Sequence, residues 1–133
     1  MSAYDKIPLA VEEMLRAPAA VTTFRTCVKP VQVHGVQIMP GDKILMATTL
    51  ANRDSAEFEN PNEVRLDRNP RHMTFGTGIH RCVGAPLARR EVIIAIEEFI
   101  KAIPEFRIAP DAKIVTQLGG VIQPGTLPLV WNV

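Results

Sequence analysis

The stretch IPLAVEEMLRAP, Ile7 to Pro18, places apolar side chains at Leu9, Val11, Met14 and Leu15. They do not share one narrow stripe, so the pattern predicts a short helix buried on more than one side. Pro8 suits its first turn and Pro18 stops it. Between Val28 and Leu50 the period changes. VQVHGVQI alternates in the manner of a strand, and MPGDKILMATTL offers a Pro-Gly turn followed by a second strand. An antiparallel sheet is expected there. APLARREVIIAIEEFIKAI, Ala85 to Ile103, is the clearest helix, with Leu87, Ala88, Val92, Ala95, Ile96, Phe99 and Ile103 at helical spacing. Glu91, Glu97, Glu98 and Lys101 populate its other side, and Pro104 ends it. After it, GGVIQPGTLPLVW predicts a second hairpin turning at Pro124-Gly125. From Ala51 to Thr77 neither period is present, and a structureless segment longer than about 20 residues is unusual in a compact domain. It is either functional or wrapped around something.

Composition adds limits. The 133 residues are 47% hydrophobic and 22% charged, which predicts one soluble globular domain over residues 1–133 with no repeat and no internal boundary. Aromatic content is only 5%, so the core rests on aliphatic packing, and 11 prolines exceed ordinary usage. The net charge of +1 comes from scattered basic residues, which argues against a nucleic-acid partner. Two cysteines, Cys27 and Cys82, are too few for a disulfide framework and fit a reducing compartment. The first residues carry no signal-peptide core and no run reaches membrane-spanning length. A soluble, cytoplasmic protein without membrane contact is expected.

Cys82 carries the chemistry. It precedes the first turn of the Ala85–Ile103 helix, where unpaired backbone N–H groups and the positive end of the helix dipole face a preceding side chain. Such a place favours the anionic form of a thiol. Gly76, Gly78 and Gly84 allow sharp turns and close approach of a bulky partner, and Phe75 is placed to cover the sulfur. Four readings follow from these residues. A structural cysteine explains neither the glycines nor the helix start. A zinc site would draw on His72, His80, Cys82 and Cys27, but no CxxC or HxxxH pair is present. A Cys–His nucleophile lacks an orienting third group. A thiolate ligand for a soft or redox-active metal, haem iron among them, accounts for the most features.

FGTGIHRCVG, Phe75 to Gly84, resembles the haem-ligand loop of the cytochrome P-450 family of haem-thiolate monooxygenases. Its Phe, Gly, basic or polar residue, Cys and Gly all stand at the family spacing, with His80 as the basic member. EMLR, Glu13 to Arg16, resembles the family's Glu-x-x-Arg, while ANRD, FENP and RLDR resemble its meander. HGVQIMPGD, LARREVI and LPLVW are similar to the bacterial camphor 5-monooxygenase type. The resemblance implies a fold that is mainly α with small antiparallel β-hairpins, equivalent to the C-terminal, haem-proximal part of the P-450 architecture.

By that resemblance Cys82 is the axial ligand of haem b. Arg25 and His80 are propionate partners, and a guanidinium suits a carboxylate. Phe75, Gly76, Gly78 and Gly84 shape the cofactor loop. Glu13, Arg16 and Arg68 form an ion-pair brace, with Arg65 and Arg71 as rivals for the third place. Val21 and Val121 flank a substrate pocket. Arg71 and Arg89 face an acidic, ferredoxin-type electron donor. The family inserts one atom of dioxygen into an organic substrate. No segment here matches its long distal helix, so no catalytic residue is assigned and an isolated chain inactive in oxygenation is expected. The alternatives are a haem-binding or interaction module without oxygenase activity and a folded remnant that binds no haem. Apolar faces left unmatched also imply self-association.

Overall fold

The computed structural model describes residues 4–117 and 119–132. After a short 3-10 turn (Tyr4–Lys6), helix α1 spans Ile7–Arg16. It stops where Pro18 cannot continue it, and Ala17 N–H closes the last turn on the Glu13 carbonyl at 2.9 Å. Strands β1 (Thr23–Thr26), β2 (Val31–Val33), β3 (Val36–Ile38) and β4 (Lys43–Met46) follow, then a single helical turn α2 (Thr48–Ala51). The long helix α3 spans Ala85–Ala102, and β5 (Phe106–Ile108), β6 (Thr116–Gln117), β7 (Gln123–Pro124) and β8 (Leu129–Trp131) complete the order. Among the described residues the strands form two-stranded antiparallel sheets, pairing β1 with β4, β2 with β3, β5 with β8 and β6 with β7.

Both helices lie where their periodicity places them. The strands differ in three respects. VQVHGVQI is not one strand but a tight hairpin, β2–β3, turning at His34-Gly35 with φ of 46° and 81°. Val33 pairs with Val36, so the apolar positions shift from odd to even numbers across the turn, a parity break that two strands require and one strand does not. The strand after Pro40-Gly41 pairs instead with β1, in the register Thr23↔Met46 to Thr26↔Lys43. The C-terminal hairpin does not turn at Pro124-Gly125: Pro124 lies in β7 opposite Thr116, so the connection runs through residues 118–122, of which 118 is outside the described residues. A two-stranded ribbon has only edges, so proline costs no ladder bond when its nitrogen faces outward.

The interior is small and unusual. Its apolar members are Ile7, Val11, Ala17, Ala19, Cys27 and Ala85, while Glu13, Arg16 and Asn52 are fully buried beside them. The unperiodic segment after α2 is wrapped around the Arg16 guanidinium. Arg16 Nη1 donates to the carbonyls of Asn52 (2.7 Å) and Pro61 (3.0 Å), and Nη2 donates to that of Glu63 at 3.1 Å. Nε and Nη2 also hold the Glu13 carboxylate through two bonds of 2.7 Å. All five donors of the fork are therefore satisfied, the condition under which a buried guanidinium is tolerable.

The outside is correspondingly apolar. The molecule exposes 10106 Å², against about 6,900 Å² for a compact monomer of its mass. α3 buries only Ala85 completely, and Leu87 is 62% exposed.

Candidate functional site

Gly76 and Gly78 adopt φ of 67° and 65°, a region that L side chains avoid, so the loop before Cys82 can be made only with glycine there. A 3-10 turn, Gly78–His80, follows, and the Arg81 N–H returns to the Gly78 carbonyl at 3.1 Å. The Cys82 N–H donates to the Phe75 carbonyl (2.9 Å), closing the loop at its neck. Gly84 is different. Its φ is −80° and an added Cβ would meet the Cys82 sulfur at an ordinary 3.8 Å, so neither conformation nor space demands glycine.

The loop, α1 and β1 enclose a cleft of about 670 Å³ lined by Met14, Ala19, Arg25, Phe75, His80 and Cys82 among others. Cys82 is exposed and free, whereas Cys27 is buried and its thiol donates to the Lys29 carbonyl at 2.9 Å. Arg25 is exposed on β1 and its one side-chain hydrogen bond goes to the adjacent Phe24 carbonyl at 2.9 Å. His80 is exposed at the end of the 3-10 turn. Val21 lines the cleft and forms an isolated antiparallel bridge with Val121. No group of three His, Cys, Asp or Glu side chains suited to a metal ion occurs among the described residues, so the zinc set of His72, His80, Cys82 and Cys27 is not assembled.

Two charged clusters hold this loop. In the first, Glu13 Oε1 also accepts from Arg68 Nε at 3.3 Å and from the Arg65 backbone N–H at 3.0 Å. Arg65 contributes only that backbone bond, because its guanidinium turns to Asp67 and Glu59. Burial pushes the Glu13 carboxyl up most strongly. The Arg16 fork, the Arg65 N–H and the nearby positive charges outweigh it, so the group stays below the usual carboxylate range. Asn52 links this cluster to the loop: Nδ2 donates to Thr74 Oγ1 (2.9 Å) and Oδ1 accepts from the Met73 N–H (2.7 Å).

The second cluster was not legible beforehand. Arg89, expected to face an electron donor, has a side chain only 27% exposed and is engaged within the chain. Its Nε and Nη2 donate to the Glu12 carboxylate at 2.6 and 3.0 Å, which ties α3 to α1. Its guanidinium also lies 4.7 Å from the Phe75 ring centroid. His72, with a side chain 1% exposed, touches the same carboxylate at 3.1 Å. Burial lowers its proton affinity, against the attraction of Glu12, and the hydrogen bond from Arg89 lowers that of Glu12. Arg71 remains exposed. The signal for this cluster was the doubled Glu12-Glu13, whose members serve two different arginines.

The family description Cytochrome P450 matches residues 7–124. The chain belongs to the cytochrome P450 family. It is 39% identical over 127 residues to a probable cytochrome P450 127A1 of Sinorhizobium fredii, covering 95% of this chain and 31% of that one. It is 40% identical over 133 residues to the mycinamicin IV hydroxylase/epoxidase of Micromonospora griseorubida, covering 96% and 34%. The crystal structure of cytochrome P450 CYP101C1 superposes with a TM-score of 0.91 at 44% identity, covering 97% of this chain and 34% of that one. This P450 chain therefore has the P450 fold, helices with small antiparallel sheets, and spans about a third of the length of the relatives it matches. No helix among its described residues is long and apolar enough to cross a membrane.

Proposed function

We propose that this chain forms the thiolate side of a haem b site and that the site serves monooxygenation of a small organic substrate. One observation carries the reading: a free, exposed Cys82 thiol shares an apolar cleft with Arg25 and His80. The donor set fits an iron porphyrin. A soft sulfur ligand, aliphatic walls and a guanidinium without a carboxylate partner match the three parts of that cofactor. Bound haem supplies the redox-active iron at which dioxygen is activated. Cys82 would supply the sulfur ligand, presented by the loop that Gly76 and Gly78 make possible. Arg25 and His80 would hold the propionates. Phe75 limits water beside the sulfur, and Val21 and Val121 flank the substrate. Glu13, Arg16 and Arg68 brace the loop from behind. A ferredoxin-type donor approaches near Arg71, and the two free cysteines suit a reducing, cytoplasmic setting.

Haem titration tests this. The reduced chain under carbon monoxide gives the red-shifted Soret band of a thiolate adduct, and Cys82→Ala does not. A colourless chain overturns the reading in favour of a remnant without haem. Turnover of a substrate panel with a ferredoxin-type donor separates the enzyme from a haem-binding module that releases only peroxide. The apolar exterior also drives self-association of the isolated chain, and a sharp monomer in analytical ultracentrifugation overturns that part.

A further inference from the structure

The Glu12–Arg89–His72 cluster converges on Phe75, the residue that closes the cysteine loop. Phe75 meets the cluster through its ring and Cys82 through its carbonyl. Arg89 lies 4.7 Å from the ring centroid, and the Phe75 carbonyl accepts the Cys82 N–H at 2.9 Å. We propose that Arg89 is a positioning residue for Cys82, acting through Phe75. No covalent step is involved.

Three features make Arg89 suited to this. Its fork is fixed at both ends, by two bonds to Glu12 and by the ring face, so the planar group has little freedom to swing. A cation over an aromatic face attracts the ring quadrupole, which selects one orientation of Phe75 over others. The opposite side is fixed too. The Thr74 N–H donates to His72 Nδ1 at 3.3 Å, which assigns the ring proton to Nε2, where it is donated to Glu12 Oε2 at 3.1 Å. Residues 72, 74 and 75 are thereby held from α1 and α3 together, and the neck of the cysteine loop inherits that position. What this does for an iron-bound sulfur depends on the haem reading; what it does for the loop does not.

Hydrogen–deuterium exchange on the chain without haem separates the two. Arg89→Met keeps the aliphatic stem and removes fork and charge. The expected result is exchange about tenfold faster in the peptide from Thr74 to Val83, with the peptide from Arg90 to Ala102 unchanged. Arg90→Met, on the exposed side of α3, changes neither. Equal acceleration of both peptides, or none in the first, overturns the proposal. Should Arg89→Met fail to fold, Glu12→Gln is the second variant, with a smaller rise confined to the same peptide expected and an unchanged peptide overturning it. In the haem-loaded chain Arg89→Met moves the ferrous carbon monoxide band away from its wild-type wavelength, while Arg89→Lys restores part of the shift. A wild-type chain without a thiolate band ends the haem reading and leaves the exchange result to decide on Arg89.

Discussion

Arg16 is fully buried, while Ile79, in the loop before Cys82, is 97% exposed and Val83 is 98% exposed. Hydropathy alone would exchange their places. The difference separates a frame from a face. Around Arg16 every polar group finds a partner, and no buried side-chain polar atom among the described residues lacks a hydrogen bond. A charged centre can then organise coil that has no periodicity of its own. Around Cys82 the apolar side chains remain in water, so that face contributes little to the stability of the chain and stays available for contact.

Removing the frame has the largest effect. Arg16→Ala leaves the buried Glu13 carboxylate without its fork and strips the Asn52, Pro61 and Glu63 carbonyls of their donor. Breaking one half of a buried pair costs about 3–5 kcal/mol, a large share of the stability of a small domain. The expected outcome is loss of the helical circular dichroism signal at room temperature. Arg16→Lys recovers little, because an ammonium has three donors and no fork. A variant that melts within a few degrees of wild type would show that the coil holds its shape without the guanidinium.

Truncating the apolar part of the same interior costs less. Val11 is 0% exposed, and Val11→Ala removes two methyl groups and leaves a cavity, for about 2 kcal/mol by urea denaturation.

Acid acts on the clusters in sequence. His72 binds a proton less readily when folded than its ordinary value of 6.5, so between its folded value and 6.5 the unfolded state holds more protons. Stability therefore falls as pH drops below 6.5. Glu12 and Glu13 are held below their ordinary 4.5, so their contribution is complete above 4.5 and is lost as pH falls through their lowered folded values. Urea midpoints measured from pH 7 to pH 3 decline in two stages, and His72→Gln removes the upper one. A flat profile down to pH 4.5 would mean that His72 is not held neutral by burial.

The two regions were also unequally legible. Helices α1 and α3 could be read because bounding prolines, for α1, and an apolar period, for α3, are local signals. The Cys82 loop could be read because left-handed glycines at 76 and 78 leave their mark at fixed spacing from the cysteine. β1 could not. TFRT is four residues long and exposed, and its partner begins 17 positions beyond its own last residue. The Glu12–Arg89 tie spans 77 positions and follows no period, so it exists only once the helices are packed. The wrapping of residues 51–77 was hidden for a related reason: side chain-to-backbone bonds impose order without repetition.

The smallest effect is expected on the face. Ile79→Asp and Val83→Asp replace side chains that are already in water, so no burial is lost and no cavity forms. Substitutions of this kind stay within about 0.5 kcal/mol of wild type. Their consequence belongs to association instead. Carboxylates beside the Cys82 loop add charge to an apolar patch, which opposes contact between copies through that patch. Sedimentation of the double variant is expected to show a smaller fraction of oligomer at an unchanged urea midpoint. A fall in that midpoint of more than about 1 kcal/mol equivalent would place these side chains in the frame and erase the distinction between the two regions.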